Sequence, residues 1–281
     1  MLWTRAFRGR TVVVTGASSG IGRATAVAFG ALGARVALVA RRRAVLEEVA
    51  KEIAGRGGET LVVPTDVTRE AAVRTAFRTI VEHFERLDVV VNNAGMLIPS
   101  PVVDMRAADL RAMFQVNFFG AVYVMQQAVA RMRMQKDGGC VVNVASLGGR
   151  RGVSPIGGYC ATKFALVGVT EALRVELRGT PVHVALVMPG VIETPMAEHF
   201  AESELDVWPS ALNMPTAWVV WAILAAARFR LVELAVPPGA ATLEKLAALV
   251  PGVTDSVLHW GTTATRFLTD LVEGKDARRR R

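Results

Sequence analysis

The chain has 281 residues, of which 52% are hydrophobic and 21% are charged, so it can bury one sizeable core. Its formal net charge is +8, but part of this excess lies in residues 278–281, all arginine, and no aromatic-basic interleaving or nucleic-acid motif accompanies it. The four histidines and two cysteines share no metal-ligand spacing. The composition therefore argues against a nucleic-acid partner and does not support a metal site.

A cytoplasmic location is expected because targeting patterns are missing. Residues 1–8 lack the apolar run of a secretory signal, and the longest fully apolar run, residues 217–227, is too short to span a bilayer. Cys140 and Cys160 are predicted to be reduced thiols in the protein interior.

A phosphate-binding turn is predicted near the start of the chain. A buried-strand pattern over residues 10–14 runs into the sequence TGASSGIG, residues 15–22, and a helical apolar pattern follows over residues 23–32. A strand, a glycine-rich turn and a helix N-terminus together form a cradle for phosphate. Gly16 would permit the tight turn, Gly20 would let the backbone approach a pyrophosphate, and Gly22 would let the helix meet the strand. Such a turn can also serve only as a connection.

Further strand patterns alternate with helical patterns along the rest of the chain. Strand patterns span residues 35–39, 87–91, 140–145 and 231–236. A third strand is predicted before Asp66 and a sixth before Pro189. Alternation with short connections predicts an α/β fold, a doubly wound parallel β-sheet of about seven strands flanked by helices.

Tyr159 and Lys163 stand four residues apart in a segment that is predicted to be helical, so both side chains share one helix face. A phenol titrates near ~10 in isolation, and a nearby positive charge favours the phenolate. The pair is therefore a candidate general acid/base. Taken alone, this spacing also occurs on helices where the phenol packs and the lysine is solvated.

Over residues 8–238 the chain resembles the short-chain dehydrogenase/reductase family of the common single-domain type. The glycine turn matches the family's TGxxxGxG motif, and Tyr159 with Lys163 matches its YxxxK motif. The remaining matches occur in the family's order and are Asp66, Val67, Asn92, Asn93, Ala94, Gly95, Asn117, Ser146, Pro189, Gly190 and Thr194. The resemblance implies a Rossmann-like sheet and an oxidoreductase that acts on CH-OH and C=O groups.

The resemblance also implies a role for each catalytic residue. Tyr159 would exchange a proton with the substrate oxygen, and Lys163 would hold the nicotinamide ribose and lower the Tyr159 pKa. Ser146 would donate a hydrogen bond to the substrate carbonyl. Asn117 would anchor a water that passes protons from Lys163 to solvent. The alternatives are that Ser146 is only a strand-end cap and Asn117 a solvent-facing helix residue.

By the same resemblance, a nicotinamide cofactor binds along the carboxyl edge of the sheet. The cofactor-binding residues are Gly16, Ser18, Ser19, Gly20, Ile21, Gly22, Arg41, Arg42, Asp66, Val67, Asn93, Ala94, Gly95, Tyr159, Lys163, Pro189, Gly190, Val191 and Thr194.

Charge at the end of the second strand predicts which nicotinamide cofactor binds. A dehydrogenase that selects NAD places a carboxylate there, whereas this chain has Arg41, Arg42 and Arg43. Guanidinium groups suit a 2′-phosphate, so NADP(H) is preferred, with NAD(H) as the alternative cofactor. Two details weaken this prediction: Arg43 can simply start a solvated helix, and Ser18 and Ser19 supply no basic residue inside the turn.

The substrate is expected to be a hydrophobic ketone, aldehyde or secondary alcohol. Residues 191–214 should form a variable loop over the site, and the apolar side chains of this loop and of the strand ends predict an apolar pocket; these residues are Met96, Leu97, Ile98, Leu147, Met196, Phe200, Leu205, Val207 and Trp208. The same side chains can instead pack the loop onto the body of the domain. Alternative functions are a redox-inactive NADP-binding regulator and an epimerase or dehydratase. A homodimer or homotetramer is expected.

The chain is expected to divide into one catalytic domain, residues 1–238, a helical extension of that domain, residues 239–272, and a basic disordered tail, residues 273–281. Apolar residues recur at helical spacing over residues 243–250 and again over residues 253–271. The second helix is predicted to be capped by Thr254, with Asp255 in its first turn. Docking on the domain or on a partner subunit, closing the pocket, is favoured over contact with an anionic membrane.

Overall fold

A computed structural model describes residues 6–196, 213–257 and 259–260. It contains a seven-stranded sheet in the order β3-β2-β1-β4-β5-β6-β7, in which every neighbouring pair is parallel. The strands are β1 (Thr11–Thr15), β2 (Arg35–Ala40), β3 (Glu59–Pro64), β4 (Val89–Asn92), β5 (Gly139–Val144), β6 (Val182–Pro189) and β7 (Glu233–Val236). The predicted doubly wound α/β fold is confirmed.

Helices cover both faces of the sheet, which is why the central strands are buried along their whole length and rich in valine. The helices are α1 (Gly20–Ala31), α2 (Arg43–Ala54), α3 (Glu70–Phe84), α4 (Ala107–Phe114), α5 (Ala121–Met132), α6 (Gly157–Glu176), α7 (Thr216–Phe229) and α8 (Ala240–Ala247). One core packs α3, α5 and α6 on the sheet, and the other packs α1, α2 and α7 on the opposite face. A π-helical turn, Gln115–Gly120, joins α4 to α5.

Several predicted boundaries are wrong by one to three residues. Helix α1 begins at Gly20 rather than residue 23, because the glycine turn is itself the first turn of the helix and the Arg23 amide already donates to Ser19. Strand β4 begins at Val89 rather than residue 87, because the buried Asp88 is held by side-chain hydrogen bonds from Arg10 and Arg86.

The other boundary shifts have similar local causes. Strand β7 begins two residues after the predicted start, because Arg230 ends α7 in a left-handed conformation at φ 52° and the next two residues form the connection. Strands β1 and β5 are each shifted by one residue, and β2 is one residue longer than predicted. These shifts leave the order and the carboxyl edge of the sheet unchanged.

A buried polar chain crosses the centre of the molecule. The Asn92 amide in β4 donates to the Asn143 side chain in β5 at 3.1 Å and to the Ala121 carbonyl at 2.9 Å. The Asn143 amide donates in turn to Thr170 Oγ1 in α6 at 2.9 Å. Two neighbouring strands and the helices beside them are therefore linked by side-chain hydrogen bonds as well as by the sheet ladder.

The C-terminal segment differs from its prediction. Residues 251–257 are helical, and Thr254 lies inside that helix rather than at its cap, since its amide donates to the Val250 carbonyl. The Thr254 hydroxyl donates to the carbonyls of Ala247 and Val250. The apolar stripe stays exposed at Leu249 and Trp260. The predicted stripe beyond residue 260 and the basic tail lie outside the described residues.

Two further expectations can be compared with the structure. Cys140 and Cys160 are free and buried, as predicted, and burial raises the pKa of the Cys140 thiol to about 12. Within the described ranges, no helix combines the length and hydropathy that a membrane span requires.

Candidate active site

The glycine turn has a backbone that only glycine suits. Gly16 and Gly20 have φ values of +68° and +51°, in the left-handed region. A Cβ on Gly22 would lie 2.2 Å from the Gly16 carbonyl oxygen, so a side chain there would break the turn. A Cβ on Gly20 would stand 3.3 Å from the Thr194 side chain. The turn therefore presents bare backbone at the start of α1, opposite Thr194, which fits a dinucleotide phosphate.

Thr15 links this turn to the loop after β4. Its hydroxyl accepts hydrogen bonds from the amides of Asn93 and Ala94 at 2.9 and 3.0 Å. The Asn93 side chain returns a bond to the Thr15 carbonyl at 3.0 Å. Two segments that lie far apart in sequence, both predicted to bind cofactor, therefore meet at one edge of the sheet.

Arginines stand beside the turn at the end of β2. The Arg42 guanidinium donates to the Ser18 hydroxyl at 3.2 Å, and Arg41 is exposed next to it. Arg43 opens α2 and pairs with Glu47 at 3.7 Å, which confirms the solvated-helix alternative for that residue. Only Arg41 and Arg42 therefore remain as candidates for a ligand contact.

Asp66 and Val67, two of the predicted cofactor-binding residues, lie after β3. The Asp66 carboxylate accepts bonds from the amide and the hydroxyl of Thr68, at 3.0 and 2.8 Å, and so closes a local turn. Val67 is buried against Gly120, where an added Cβ would lie 2.9 Å from the valine side chain. This packing fixes the loop after β3 against the π-helical turn.

Asn117 is fully buried within the π-helical turn, which excludes the solvent-facing alternative. Its amide donates to the Met96 carbonyl and to Thr162 Oγ1, each at 2.9 Å, and its Oδ1 accepts from the Met96 amide at 2.8 Å. A Cβ on Gly95 would lie 3.4 Å from Asn117 Oδ1 and 3.8 Å from Lys163 Nζ. Asn117 therefore lies close to the lysine across Gly95.

Lys163 and Tyr159 project from the first turns of α6. Lys163 is buried, its Nζ donates to the Val144 carbonyl at 3.0 Å, and the same atom lies 5.6 Å from the centre of the Tyr159 ring. Burial lowers the pKa of Lys163 to about 8. The predicted pair is thus brought together in a desolvated setting.

Desolvation also governs Tyr159, in the direction opposite to the one predicted. Burial raises the pKa of the phenol well above its ordinary value, and a hydrogen bond with Ser146 offsets only part of this increase. The charge of Lys163 does not reverse this increase. At neutral pH the phenol is therefore held in its protonated form.

Ser146 serves two structural purposes at once. Its hydroxyl accepts from the Gly148 amide at 3.1 Å and so caps the short turn Leu147–Gly149, as the alternative interpretation expected. It also donates to the Pro189 carbonyl at 3.3 Å, which joins β5 to the end of β6. The same hydroxyl also borders the main cavity of the site.

A cavity of about 670 Å³ joins these groups. Its wall includes Ser146, Tyr159 and Lys163, together with the cofactor candidates Ile21, Asn93, Gly95, Pro189, Gly190, Val191 and Thr194. The apolar part of the wall is formed by Leu97, Leu147, Val153, Ile156, Ile192, Met196 and Met214. Sequence reasoning found Leu97, Leu147 and Met196 but missed Val153 and Ile156.

Other predicted pocket residues lie elsewhere. Met96 and Ile98 do not line the cavity: the Met96 backbone holds Asn117, and the Ile98 amide points to the Met113 sulfur at 3.4 Å. The predicted loop residues 197–212 lie outside the described residues. Sequence reasoning also missed Arg151 and Glu244, two charged residues in the wall.

Comparison with known proteins identifies the family of this chain. The short chain dehydrogenase family matches residues 10–205. The chain is 36% identical over 255 residues to the uncharacterized oxidoreductase YxnA of Bacillus subtilis (strain 168), a match that covers 89% of this chain and 71% of YxnA.

Solved structures agree with that match. A short-chain type dehydrogenase/reductase from Mycobacterium marinum is 30% identical with a TM-score of 0.78, covering 83% of this chain and 96% of that one. A short chain dehydrogenase/reductase from Burkholderia phymatum, in complex with NAD, is 25% identical with a TM-score of 0.79, covering 89% and 96% of the two chains. The chain therefore belongs to the short-chain dehydrogenase family of oxidoreductases.

Proposed function

We propose that this oxidoreductase transfers a hydride between NADP(H) and a hydrophobic ketone, aldehyde or secondary alcohol. The observation that carries the proposal is the single cavity in which Ser146 and Tyr159 face an apolar wall while Ile21 and Thr194 lead to the glycine turn. A cofactor extended from that turn would bring its nicotinamide to the same wall as the acid/base pair.

The chain's own groups would handle the proton. In the direction of reduction a nicotinamide cofactor, when bound, would supply the hydride that the carbonyl carbon accepts, which leaves negative charge on the carbonyl oxygen. The Tyr159 hydroxyl gives its proton to that oxygen, and the Ser146 hydroxyl donates a hydrogen bond to the same oxygen as negative charge develops. The Lys163 ammonium, whose pKa is lowered to about 8, then returns a proton to the phenolate.

The protonated form of Tyr159 is the one that carbonyl reduction requires. Burial raises the pKa of Tyr159, so the phenol carries the proton that reduction consumes. Oxidation of an alcohol would require the phenolate.

Preference for NADP(H) rests on the residues around the glycine turn. The bond between Arg42 and Ser18 holds one guanidinium beside the turn, Arg41 adds a second, and residues 40–43 contain no carboxylate. Two guanidinium groups suit a phosphate dianion, whereas nothing there selects a 2′-hydroxyl. The relative from Burkholderia phymatum binds NAD, so NADH is the necessary comparison.

The test compares the affinities for NADPH and NADH in wild type and in variants of Arg41 and Arg42. Wild type should bind NADPH more tightly than NADH, and Arg41→Ala and Arg42→Ala should each weaken NADPH by roughly ten- to 150-fold, with little effect on NADH. Arg43→Ala is the matched control, because Arg43 already pairs with Glu47. Equal affinity of wild type for the two cofactors would contradict the NADP(H) preference. Failure to oxidise either cofactor with a panel of apolar ketones and aldehydes would contradict the proposed reaction.

A further inference from the structure

One part of the cavity wall is ionic although most of the wall is apolar. Arg151 and Glu244 both line the cavity, and neither belongs to the catalytic or cofactor-binding set. Glu244 comes from α8, in the C-terminal extension, whereas Arg151 follows the short turn after Ser146. The extension therefore contributes a charged group to the wall of the pocket.

Ion pairs fix the extension against the loop that follows Ser146. Arg150 pairs with Glu233 in β7 at 2.9 Å, and the same carboxylate pairs with Lys245 of α8 at 2.9 Å. Arg151 pairs with Asp255 in the next helical segment. The Lys245 pair attaches α8 itself and the Asp255 pair attaches the segment that follows it, so Glu244, next to Lys245, has a defined place in the wall.

The Glu244 carboxylate is available to a ligand. It is half-buried, and among the described residues no protein group donates a hydrogen bond to its side chain. Burial raises the pKa of this carboxyl, and the charge of Arg151 offsets only part of the increase. A partly desolvated acceptor without a hydrogen bond is unfavourable, and a donor supplied by the ligand would relieve that cost.

The local charge balance points to a donor rather than to an anion. Arg151 already donates to Asp255, and Glu244 adds a second carboxylate beside the same guanidinium. Two carboxylates beside one guanidinium leave more hydrogen-bond acceptors than donors at this part of the wall. A substrate carboxylate or phosphate would meet this excess of negative charge, whereas a hydroxyl or ammonium group would satisfy it.

We infer that Glu244 is a specificity-determining residue, which accepts a hydrogen bond from a hydroxyl or ammonium group on the substrate, remote from the reacting carbonyl. This inference rests on the proposed function, because it assumes that the carbonyl lies at Tyr159 and Ser146. The expected substrate class is an apolar carbonyl compound with a second, hydrogen-bond-donating group.

The experiment compares methyl ketones with their ω-hydroxy counterparts over a homologous series of chain lengths, using NADPH. Wild type should show, at one or more lengths, a higher kcat/KM for the hydroxylated ketone, mainly through a lower KM. Glu244→Ala should reduce this ratio by roughly ten- to 150-fold, the range expected for a hydrogen bond to a charged group. Glu244→Gln, which keeps an acceptor oxygen, should retain part of the preference.

Both kcat/KM values in the ratio are measured on the same enzyme. A loss of folded protein or of cofactor binding therefore lowers both values and leaves their ratio unchanged. Thr242→Ala, an exposed substitution on the same helix, is the matched control and should keep the wild-type ratio. A ratio near one in wild type at every length, or an unchanged ratio in Glu244→Ala, would overturn the role of Glu244 while leaving the proposed reaction standing. Absence of turnover with both members of every pair would instead count against the proposed function.

Discussion

Lys163 offers the sharpest test of how the site is built, because its ammonium group is buried in the folded protein. Its pKa falls from the ordinary 10.5 to about 8 for that reason. A difference of one pKa unit corresponds to about 1.4 kcal/mol, so burying the charged amine lowers the free energy of unfolding by about 3 kcal/mol. Lys163→Met removes the charge in a side chain of similar length.

The effect on stability depends on pH in a definite direction. The folded-state pKa lies below the unfolded one, so the unfolded chain binds more protons between about pH 8 and about pH 10.5, and wild type gains stability as pH rises through that window. Below about pH 8 the amine is charged in both states, and the full cost is present. Methionine carries no such dependence. The difference in unfolding free energy, Lys163→Met minus wild type, should therefore fall by about 2 kcal/mol from about pH 7 to about pH 9.5.

Urea unfolding of both proteins at the two pH values measures this change. The lost bond from Lys163 Nζ to the Val144 carbonyl alters the absolute difference at either pH but contributes little to its change with pH. Lys51→Met, an exposed substitution on α2, controls for the loss of a lysine. The reasoning would be refuted by a difference for Lys163→Met that stays constant between the two pH values.

Two substitutions test the catalytic group and the turn. Tyr159→Phe should fold and should bind NADPH, as followed by nicotinamide fluorescence. Its turnover rate should fall by about 10²- to 10⁴-fold, because only the proton donor is deleted. Retention of half the wild-type rate would remove Tyr159 from the mechanism. Gly22→Ala should abolish cofactor binding, because its Cβ would lie 2.2 Å from the Gly16 carbonyl oxygen. Gly168→Ala, on the exposed side of α6 where an added Cβ meets nothing within 4 Å, should bind cofactor normally and gain up to about 1 kcal/mol of stability in urea unfolding. Normal cofactor binding by Gly22→Ala would show that the turn tolerates a side chain.

The sequence was most informative where the signal is local. Apolar runs marked the strands because both faces of the sheet are covered, and the spacing of Tyr159 and Lys163 placed both on one helix. The surroundings of Asn117 could not be read in this way, since its bonds come from Met96 and Thr162 on other segments. Proximity of the lysine to the phenol was predictable, but the burial that sets the pKa of each group was not.

The C-terminal extension shows a second limit of sequence reasoning. The second apolar stripe was predicted to begin at residue 253, yet helix begins at Pro251, because proline is well tolerated in a first turn where its amide hydrogen is not needed. Thr254, which was predicted to be the cap, therefore lies inside the helix. Arg151 and Asp255 stand 104 residues apart in the sequence, so no spacing rule connects them or draws attention to Glu244.

The hydrogen bond between Asn92 and Asn143 fixes the register of β4 against β5 at the active edge of the sheet. A shift of β4 against β5 by one residue would send one amide to the opposite face and leave its partner unpaired in an apolar core, at a cost of several kcal/mol. Strands made of valine alone would fix the register less strongly, because a one-residue shift replaces one valine contact with another. The loop that carries Asn93 and the strand end that carries Ser146 therefore keep a fixed offset, and substitution of the apolar residues around them should leave that offset unchanged.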